Sequence, residues 1–246
     1  MKESDVKSPV IEAYCEFYFA PDPNQQLDIT VVGLFYNKIR EKFPIRQQQI
    51  GLESKPVEGG FRFDSRIRVQ FFRPDRSALV QAAPDILTVN HLTPYASWED
   101  FKALILDNYK IFRDIINPKG FNQIALGYVN KFDFDESTEL KDYFNFHPTI
   151  PEGLSNTCTG LSESADFIYE DGRAALNIAL QKTIPEKPNM LSCMLHLNYH
   201  TATPESAGHI HLDNISGWIE TAHNSIEDAF KKCLTKEYKA RFGVVD

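Results

Sequence analysis

Histidines cluster near the C-terminus and form the densest group of candidate metal ligands in the chain. Five of the seven histidines fall within residues 196–223. His196 and His200 are four residues apart, so they would share one face of a regular strand. His209 and His211 are two residues apart and would share a face of a neighbouring strand. Four imidazoles on two adjacent strands predict a site for zinc or another divalent metal, although such pairs are also common without a metal.

Arginines with a period of two form a second candidate site. Residues 61–72 alternate between apolar and polar side chains, which is typical of a strand with one buried face. Arg62, Arg66 and Arg68 fall on the polar side, and Arg73 follows at the end of the strand. Paired guanidinium hydrogen bonds suit phosphate, so this face would bind single-stranded nucleic acid, a nucleotide or a phosphorylated partner. The alternative is a solvated sheet face whose arginines pair with nearby carboxylates.

Signatures of nucleophilic catalysis and of phosphate-binding loops are absent from the sequence. Neither a Gly-x-Ser-x-Gly motif nor a glycine-rich loop before a helix occurs. Cys158 and a distant histidine could form a dyad, but a simple loop thiol is the stronger interpretation. The four cysteines are far apart and contain no Cys-x-x-Cys, so buried free thiols are expected rather than a disulfide framework.

Composition and charge are those of an ordinary globular protein. The 246 residues carry a formal net charge of -8, which argues against binding of nucleic acid or anionic membrane by the molecule as a whole. The charged N-terminus lacks the apolar core of a signal peptide, and no stretch approaches the ~18 apolar residues that a membrane span needs. We therefore expect a cytoplasmic protein that does not enter a membrane.

The pattern of the first half predicts a strand, a helix, four strands and a long helix. The strands are expected at residues 10–19, 45–52, 61–72, 78–82 and 86–92, where apolar or alternating runs end at turn residues. The helices are expected at residues 27–43 and 98–116, because apolar residues recur there at steps of three and four. Ser97 is the predicted N-cap of the second helix, and Asp100 would complete a capping box.

The second half repeats this order in broad terms. Strands are expected at residues 124–134, 162–169, 174–183, 191–201 and 209–212, with Asp171-Gly172 as a type I′ turn between the second and the third. A short amphipathic segment follows the first of them at residues 139–146. A long helix over residues 215–234 closes the chain, with Trp218 near its start, as Trp98 is near the start of its counterpart.

This order predicts an α+β fold made of two similar halves, residues 1–120 and 121–246, packed as one globular unit. Each half would be a curved antiparallel sheet with helices on one face, in the order strand–helix–four strands–helix. TATA-binding-protein-like and helix-grip folds share this arrangement. The other face of the sheet would then be the natural place for a partner.

Four stretches carry a resemblance to a known family. They are residues 9–17 (Pro-Val-Ile-Glu-Ala-Tyr-Cys-Glu-Phe), 90–101 (Asn-His-Leu-Thr-Pro-Tyr-Ala-Ser-Trp-Glu-Asp-Phe), 127–131 (Gly-Tyr-Val-Asn-Lys) and 218–223 (Trp-Ile-Glu-Thr-Ala-His). With Phe230 and Phe242-Gly243, they resemble a sporadically distributed prokaryotic family of uncharacterised proteins of about this length, which has no assigned reaction. The patchy occurrence of that family implies accessory genes in mobile or defence-linked operons. The family tends to place an arginine before Tyr-x-Asn, whereas this chain has Gly127, so a role of that arginine does not carry over.

A well-patterned fold without a catalytic signature favours a non-enzymatic binding or regulatory module. Its partner would be another protein, a second copy of the chain or an anionic ligand, and nucleic acid or a nucleotide is a further candidate. The alternative is a metal-dependent enzyme that acts on nucleotide or nucleic acid through the four clustered histidines. No particular cofactor is indicated by the sequence.

Overall fold

One antiparallel sheet of nine strands runs through the described part of the chain. The structure is a computed structural model that describes residues 8–24, 27–57, 60–149 and 160–241, with all their side chains except those of residues 50–57, 60–66, 237, 240 and 241. Cys158 lies outside the described residues. The strands are β1 (Val10–Ala20), β2 (Ile45–Val57), β3 (Gly60–Phe72), β4 (Ala78–Ala83), β5 (Ile86–Leu92), β6 (Gly120–Asp135), β7 (Ser162–Tyr169), β8 (Ala174–Thr183) and β9 (Met190–Thr201).

The first strand of each half lies at the centre of the sheet. From one edge to the other the order is β2-β3-β4-β5-β1-β6-β9-β8-β7. β1 and β6 pair with each other, with Cys15 opposite Leu126, and each pairs on its other side with the last strand of its own half. The predicted α+β antiparallel architecture is confirmed, but the two halves form one continuous sheet rather than two.

Helices pack against one face of the sheet. They are α1 (Thr30–Ile39), α2 (Trp98–Ile116), α3 (Pro204–Gly208), α4 (Ile215–Cys233) and α5 (Lys236–Arg241). α2 begins where the sequence predicts, because the hydroxyl of Ser97 accepts a hydrogen bond from the backbone N–H of Asp100 at 3.1 Å. It ends at Asn117, which adopts the left-handed conformation that closes many helices. Within the described residues, no helix is both long and apolar enough to cross a membrane.

Aromatic side chains fill the space between the sheet and the helices. Every second residue of β1 is fully buried on this side: Ala13, Cys15, Phe17 and Phe19. The rings of Phe17 and Phe19 contact that of Tyr109 in α2, with centroids 5.0 and 6.1 Å apart. Cys15, Cys193 and Cys233 are buried free thiols, as predicted. The opposite side of the sheet, which we call the polar face, carries Glu12, Tyr14, Glu16 and Tyr18 of β1.

Two segments of the second half differ from the predicted elements. Residues 209–212 do not form a strand, because they follow α3 directly and lead into a 3₁₀-helix at Leu212–Asn214. α3 forms because the hydroxyl of Thr203 accepts a hydrogen bond from the N–H of Ser206, and because Pro204 suits a first helical turn. The segment predicted at residues 139–146 contains only a 3₁₀ turn, Leu140–Asp142. Consequently, among the described residues three strands follow β6 rather than the predicted four.

The hairpin of β7 and β8 is confirmed, but its turn is wider than predicted. Tyr169 pairs with Ala174, which leaves four residues in the connection instead of two. Glu170, Asp171 and Gly172 all have positive φ angles. A type I′ turn uses only two such residues, so the Asp-Gly signal identified the location of the turn and not its type.

Candidate functional site

The predicted arginine face lies on β3, and one of its arginines, Arg68, forms an ion pair with Glu16. The register with β2 places positions 62, 66 and 68 on the same side of the strand. The side chains of Arg62 and Arg66 lie outside the described residues. The half-buried guanidinium of Arg68 donates to the carboxylate of Glu16 and to the hydroxyl of Tyr18, the latter at 2.9 Å. A phosphate would have to compete with Glu16 for Arg68, and phosphate binding at this face stays a prediction.

Arg73 lies apart from this face. Its guanidinium stands over the ring of Phe43, 5.7 Å from the centroid, and it borders a groove between α1 and α2. The same groove is lined by both lysines and aspartates, including Lys42 and Asp107, which form an exposed ion pair at 3.5 Å. The structure therefore does not bring Arg73 and Arg68 together in one cluster.

His196 and His200 share the polar face of β9, as the period of two predicts. The Nε2 atom of His196 lies 2.8 Å from the hydroxyl of Tyr14, two strands away. Burial lowers the pKa of His196 below its ordinary value, which keeps the ring neutral at pH 7. His200 is half-exposed, with Nδ1 3.5 Å from the carbonyl oxygen of Asn198.

His209 and His211 lie on helical turns and not on the neighbouring strand that the sequence predicted. His209 is the C-cap of α3, and His211 is the N-cap of the following 3₁₀-helix; both are exposed. The two pairs are thus not presented by adjacent strands. Within residues 8–24, 27–57, 60–149 and 160–241, no group of three or more histidine, cysteine, aspartate or glutamate side chains is arranged to hold a metal ion. Metal binding by these histidines stays a prediction.

A cavity of about 290 Å³ lies between α2 and α4, on the helix side of the sheet. Its floor is formed by the adjacent strands β6 and β9, and the start of β1 closes one side. Most of its walls are apolar or aromatic. The lining residues are Ser8, Pro9, Val10, Tyr95, Trp98, Tyr128, Asn130, Leu197, His223, Ile226, Glu227 and Phe230. We refer to this space as the central cavity.

A chain of hydrogen bonds runs along one wall of the central cavity. The hydroxyl of Tyr95 lies 3.3 Å from that of Tyr128, which in turn lies 3.0 Å from Nδ1 of His223. Burial raises the pKa of Tyr95 to about 12 and raises that of Tyr128 further, so both hydroxyls stay protonated at neutral pH. Burial lowers the pKa of His223, so its imidazole is neutral.

The ring of His223 also joins the two long helices. It stacks on the indole of Trp98 with centroids 4.0 Å apart and planes 8° from parallel. The indole N–H of Trp98 donates to the carboxylate of Glu220 at 3.3 Å, and Lys102 forms an ion pair with the same carboxylate. α2 and α4 are therefore connected directly at the mouth of the cavity.

Asn130 provides a polar group on the floor of the central cavity. The residue is only 2% exposed, and its side-chain N–H donates to the carbonyl oxygen of Leu195 at 3.2 Å. Its Oδ1 atom has no hydrogen-bond partner among the described residues and is not completely buried. An accessible amide oxygen without a protein partner can accept a hydrogen bond, so this atom marks a place for a donor inside the cavity.

The residues of this cavity were not predicted as a site, although the sequence carried a signal. All four stretches that resemble a known family supply its lining: Val10 comes from the first, Tyr95 and Trp98 from the second, Tyr128 from the third and His223 from the fourth. The signal in the sequence was that these short motifs contain aromatic residues together with a histidine or an asparagine. Their convergence depends on the pairing of β1 with β6 and on the packing of α2 beside α4.

Comparison with known proteins does not assign this chain to a family. No family model matches the chain, and no curated protein matches its sequence. The resemblance to a prokaryotic family therefore stays a prediction, and the candidate site depends on the structure of this chain alone.

The two buried histidines predict how stability depends on pH. Burial lowers the folded-state pKa of His196 and His223 below the ordinary 6.5, which the unfolded chain retains. Below pH 6.5 the unfolded chain binds protons that the folded chain refuses, so the free energy of unfolding should fall as the pH decreases from about 7 to 5. Urea denaturation at several pH values measures this slope, which His196→Gln and His223→Gln should each reduce. The exposed His209 provides the control, since His209→Gln should leave the slope unchanged; equal slopes in all variants would contradict the prediction.

Proposed function

We propose that this chain is a non-enzymatic binding or regulatory module whose ligand site is the central cavity. The observation that carries the proposal is the amide oxygen of Asn130, which has no partner among the described residues and lies in a space with mostly apolar or aromatic walls. Ligand sites are typically concave, mostly apolar and provided with a few polar groups that fix orientation. The central cavity meets this description, with a volume at the lower end of the usual range. Its ligand is therefore a small molecule.

The protonation states of the polar wall support hydrogen bonding to a ligand. The hydroxyls of Tyr95 and Tyr128 keep their protons at neutral pH because burial raises their pKa. In the neutral ring of His223, Nδ1 is hydrogen-bonded to the hydroxyl of Tyr128. The other nitrogen, Nε2, has no hydrogen-bond partner in the described part of the chain. These groups offer hydrogen bonds of fixed direction, which is what selective binding of a small ligand requires.

The position of the cavity supports a regulatory role. α2 and α4 both line it, and they meet at its mouth through the stack of Trp98 on His223 and the ion pair of Lys102 with Glu220. A ligand in the cavity would contact both helices and would shift any equilibrium between two relative positions of them. The outer surfaces of α2 and α4 would then report occupancy to a protein partner.

Binding of a neutral fluorescent probe tests the proposal. Prodan, an uncharged naphthalene dye, should show enhanced and blue-shifted emission when titrated with the purified chain, because the apolar and aromatic walls of the central cavity would shield the dye from bulk water. Val10→Trp should weaken this binding at least tenfold, roughly 1.4 kcal/mol, since the larger side chain fills the cavity from its half-exposed rim. Fluorescence titration gives both dissociation constants.

A second tryptophan variant controls for unspecific effects. Ile168 lies on β7 at the edge of the sheet, away from the cavity, and is 71% exposed. Ile168→Trp should therefore bind prodan as the unsubstituted chain does. Absence of saturable binding by the unsubstituted chain, or equal binding by the Val10→Trp variant, would overturn the proposal.

We also propose that the two halves arose by duplication of one α+β unit. The symmetric order β5-β1-β6-β9 at the centre of the sheet supports this, because each half contributes its first and last strands in mirrored order. α2 and α4 follow the last strands of their halves and border the same cavity. An antiparallel sheet with long helices on one face is consistent with a TATA-binding-protein-like or helix-grip arrangement. The central cavity would then lie on the axis that relates the halves.

A further inference from the structure

We infer that the ligand of the central cavity is a small organic cation, a primary amine carried on an aromatic or apolar body. This inference rests on the proposed function and adds the chemical class of the ligand. It differs from the anionic ligand that the arginines of β3 suggest, because the cavity lies on the other side of the sheet. Three features of the cavity support it: aromatic walls, hydrogen-bond acceptors that face the space, and an excess of nearby carboxylates.

Aromatic rings form much of the wall. Tyr95, Trp98, Tyr128 and Phe230 all border the cavity. The face of an aromatic ring carries negative potential and attracts a cation that lies within about 6 Å of its centroid. The attraction is strongest when the cation has left bulk water, which the aromatic walls of the cavity would favour. A carboxylate or phosphate would meet repulsion from the same faces.

Two polar atoms at the cavity have no partner among the described residues; one is an acceptor in every state and the other is an acceptor in one tautomer of His223. Oδ1 of Asn130 can only accept a hydrogen bond. When Nδ1–H of His223 donates to the hydroxyl of Tyr128, the Nε2 atom of the neutral ring is an acceptor as well. A primary ammonium has three N–H donors, so it can use both acceptors and keep one bond for water. An anion has no donor to offer either atom.

Carboxylates outnumber basic groups around the mouth of the cavity. Burial is the largest influence on the pKa of His223 and disfavours a positive charge there, whereas Glu227, Glu220 and Glu99 favour one and Lys102 opposes it. Glu227 lines the cavity and is exposed, and it shares an ion pair at 3.0 Å with Lys231 on the next turn of α4. An exposed pair of this kind leaves much of the carboxylate field available to a nearby cation.

Three ligands of matched shape test the charge preference directly. Phenethylamine is a cation at neutral pH, phenethyl alcohol is its uncharged counterpart, and hydrocinnamate carries a carboxylate on the same phenyl-alkyl body. Isothermal titration of the full chain should show phenethylamine binding roughly tenfold more tightly than phenethyl alcohol, about 1.4 kcal/mol, and hydrocinnamate binding most weakly. Each compound should also displace prodan in that order.

Two variants that each remove one negative charge test whether the preference for a cation arises at the cavity. Glu227→Gln keeps the size of a side chain that lines the cavity and should weaken phenethylamine binding several-fold while leaving phenethyl alcohol unchanged. Asp228→Asn removes one negative charge from the adjacent position of α4, where Asp228 pairs with Lys232 and does not line the cavity. That variant should bind all three compounds as the unsubstituted chain does.

The outcomes separate this inference from the proposed function. Equal or tighter binding of phenethyl alcohol, tightest binding of hydrocinnamate, or no binding of phenethylamine by a chain that binds prodan would each overturn the cationic ligand and leave the binding module intact. A chain that binds neither prodan nor any of the three compounds would overturn both. Equal losses of amine binding in the two charge variants would also overturn the inference, because the effect would then reflect net charge and not the cavity.

Discussion

Replacing Phe17 with alanine is expected to lower the free energy of unfolding by about 3–5 kcal/mol, because it empties a space in the middle of the core. The side chain is completely buried in the centre of β1. Its ring lies 5.0 Å from that of Tyr109 in α2 and 6.1 Å from that of Phe121 in β6, measured between centroids. Truncation removes the contacts that join the central strands to the helix layer and leaves a space that rigid strands cannot close. Urea denaturation followed by circular dichroism measures the loss.

Phe167 provides the matched control for this substitution. It lies on the edge strand β7 and is 44% exposed, so Phe167→Ala removes the same atoms from a position that water already reaches. The expected loss is within roughly 1 kcal/mol. If both variants lost the same stability, the core would not be organised around the junction of β1, β6 and α2.

The elements that local residues specify could be predicted from the sequence. The strand Ile86–Leu92 and the helix Trp98–Ile116 begin and end where turn residues and the Ser97 cap place them. The hairpin strands Ser162–Tyr169 and Ala174–Thr183 also match. The errors arose where a short signal was read in the wrong sense, as at residues 209–212, which were predicted as a strand but follow the helix that the hydroxyl of Thr203 caps.

The arrangement of the strands and the site could not be predicted in the same way. The pairing of Cys15 with Leu126 joins residues more than a hundred positions apart, and no local pattern encodes it. The arginine face shows the same limit. The strand was predicted from its pattern, yet Arg68 is held by Glu16, a residue of β1 that is 52 positions away. The central cavity likewise depends on four distant stretches, so its residues could be noted as motifs but not assembled.

Gly127→Ala is expected to destabilise the fold by roughly 1–3 kcal/mol, although it adds a single methyl group. Gly127 lies in β6 directly opposite Tyr14 of β1, and the ring of Tyr14 lies over it. A Cβ atom at this position would lie 2.5 Å from Cε1 and Oη of Tyr14, a distance that real Cβ atoms do not show. The ring must move away, and its hydrogen bond with His196 is then lost. Urea denaturation measures the change.

Gly120→Ala is the matched control, because it lies in the same strand and a Cβ atom there would meet no described atom within 4 Å. A second test is a double-mutant cycle with Tyr14→Ala, which removes the obstructing ring. If the overlap is the cause, Gly127→Ala should cost much less in the Tyr14→Ala background than in the unsubstituted chain. Additive losses would contradict this explanation.

The same geometry disfavours an arginine at position 127. The atoms of an arginine side chain would have to begin in the space that the ring of Tyr14 fills. The ring of Tyr14 instead occupies the space above Gly127. Its hydrogen bond with His196 joins β1 to β9 across β6 on the polar face. Gly127→Arg should consequently be more destabilising than Gly127→Ala, and Tyr14→Ala should recover part of that loss because it frees the space above β6. If Gly127→Arg lowered the free energy of unfolding no more than Gly127→Ala does, the ring of Tyr14 would not determine which residue position 127 accepts.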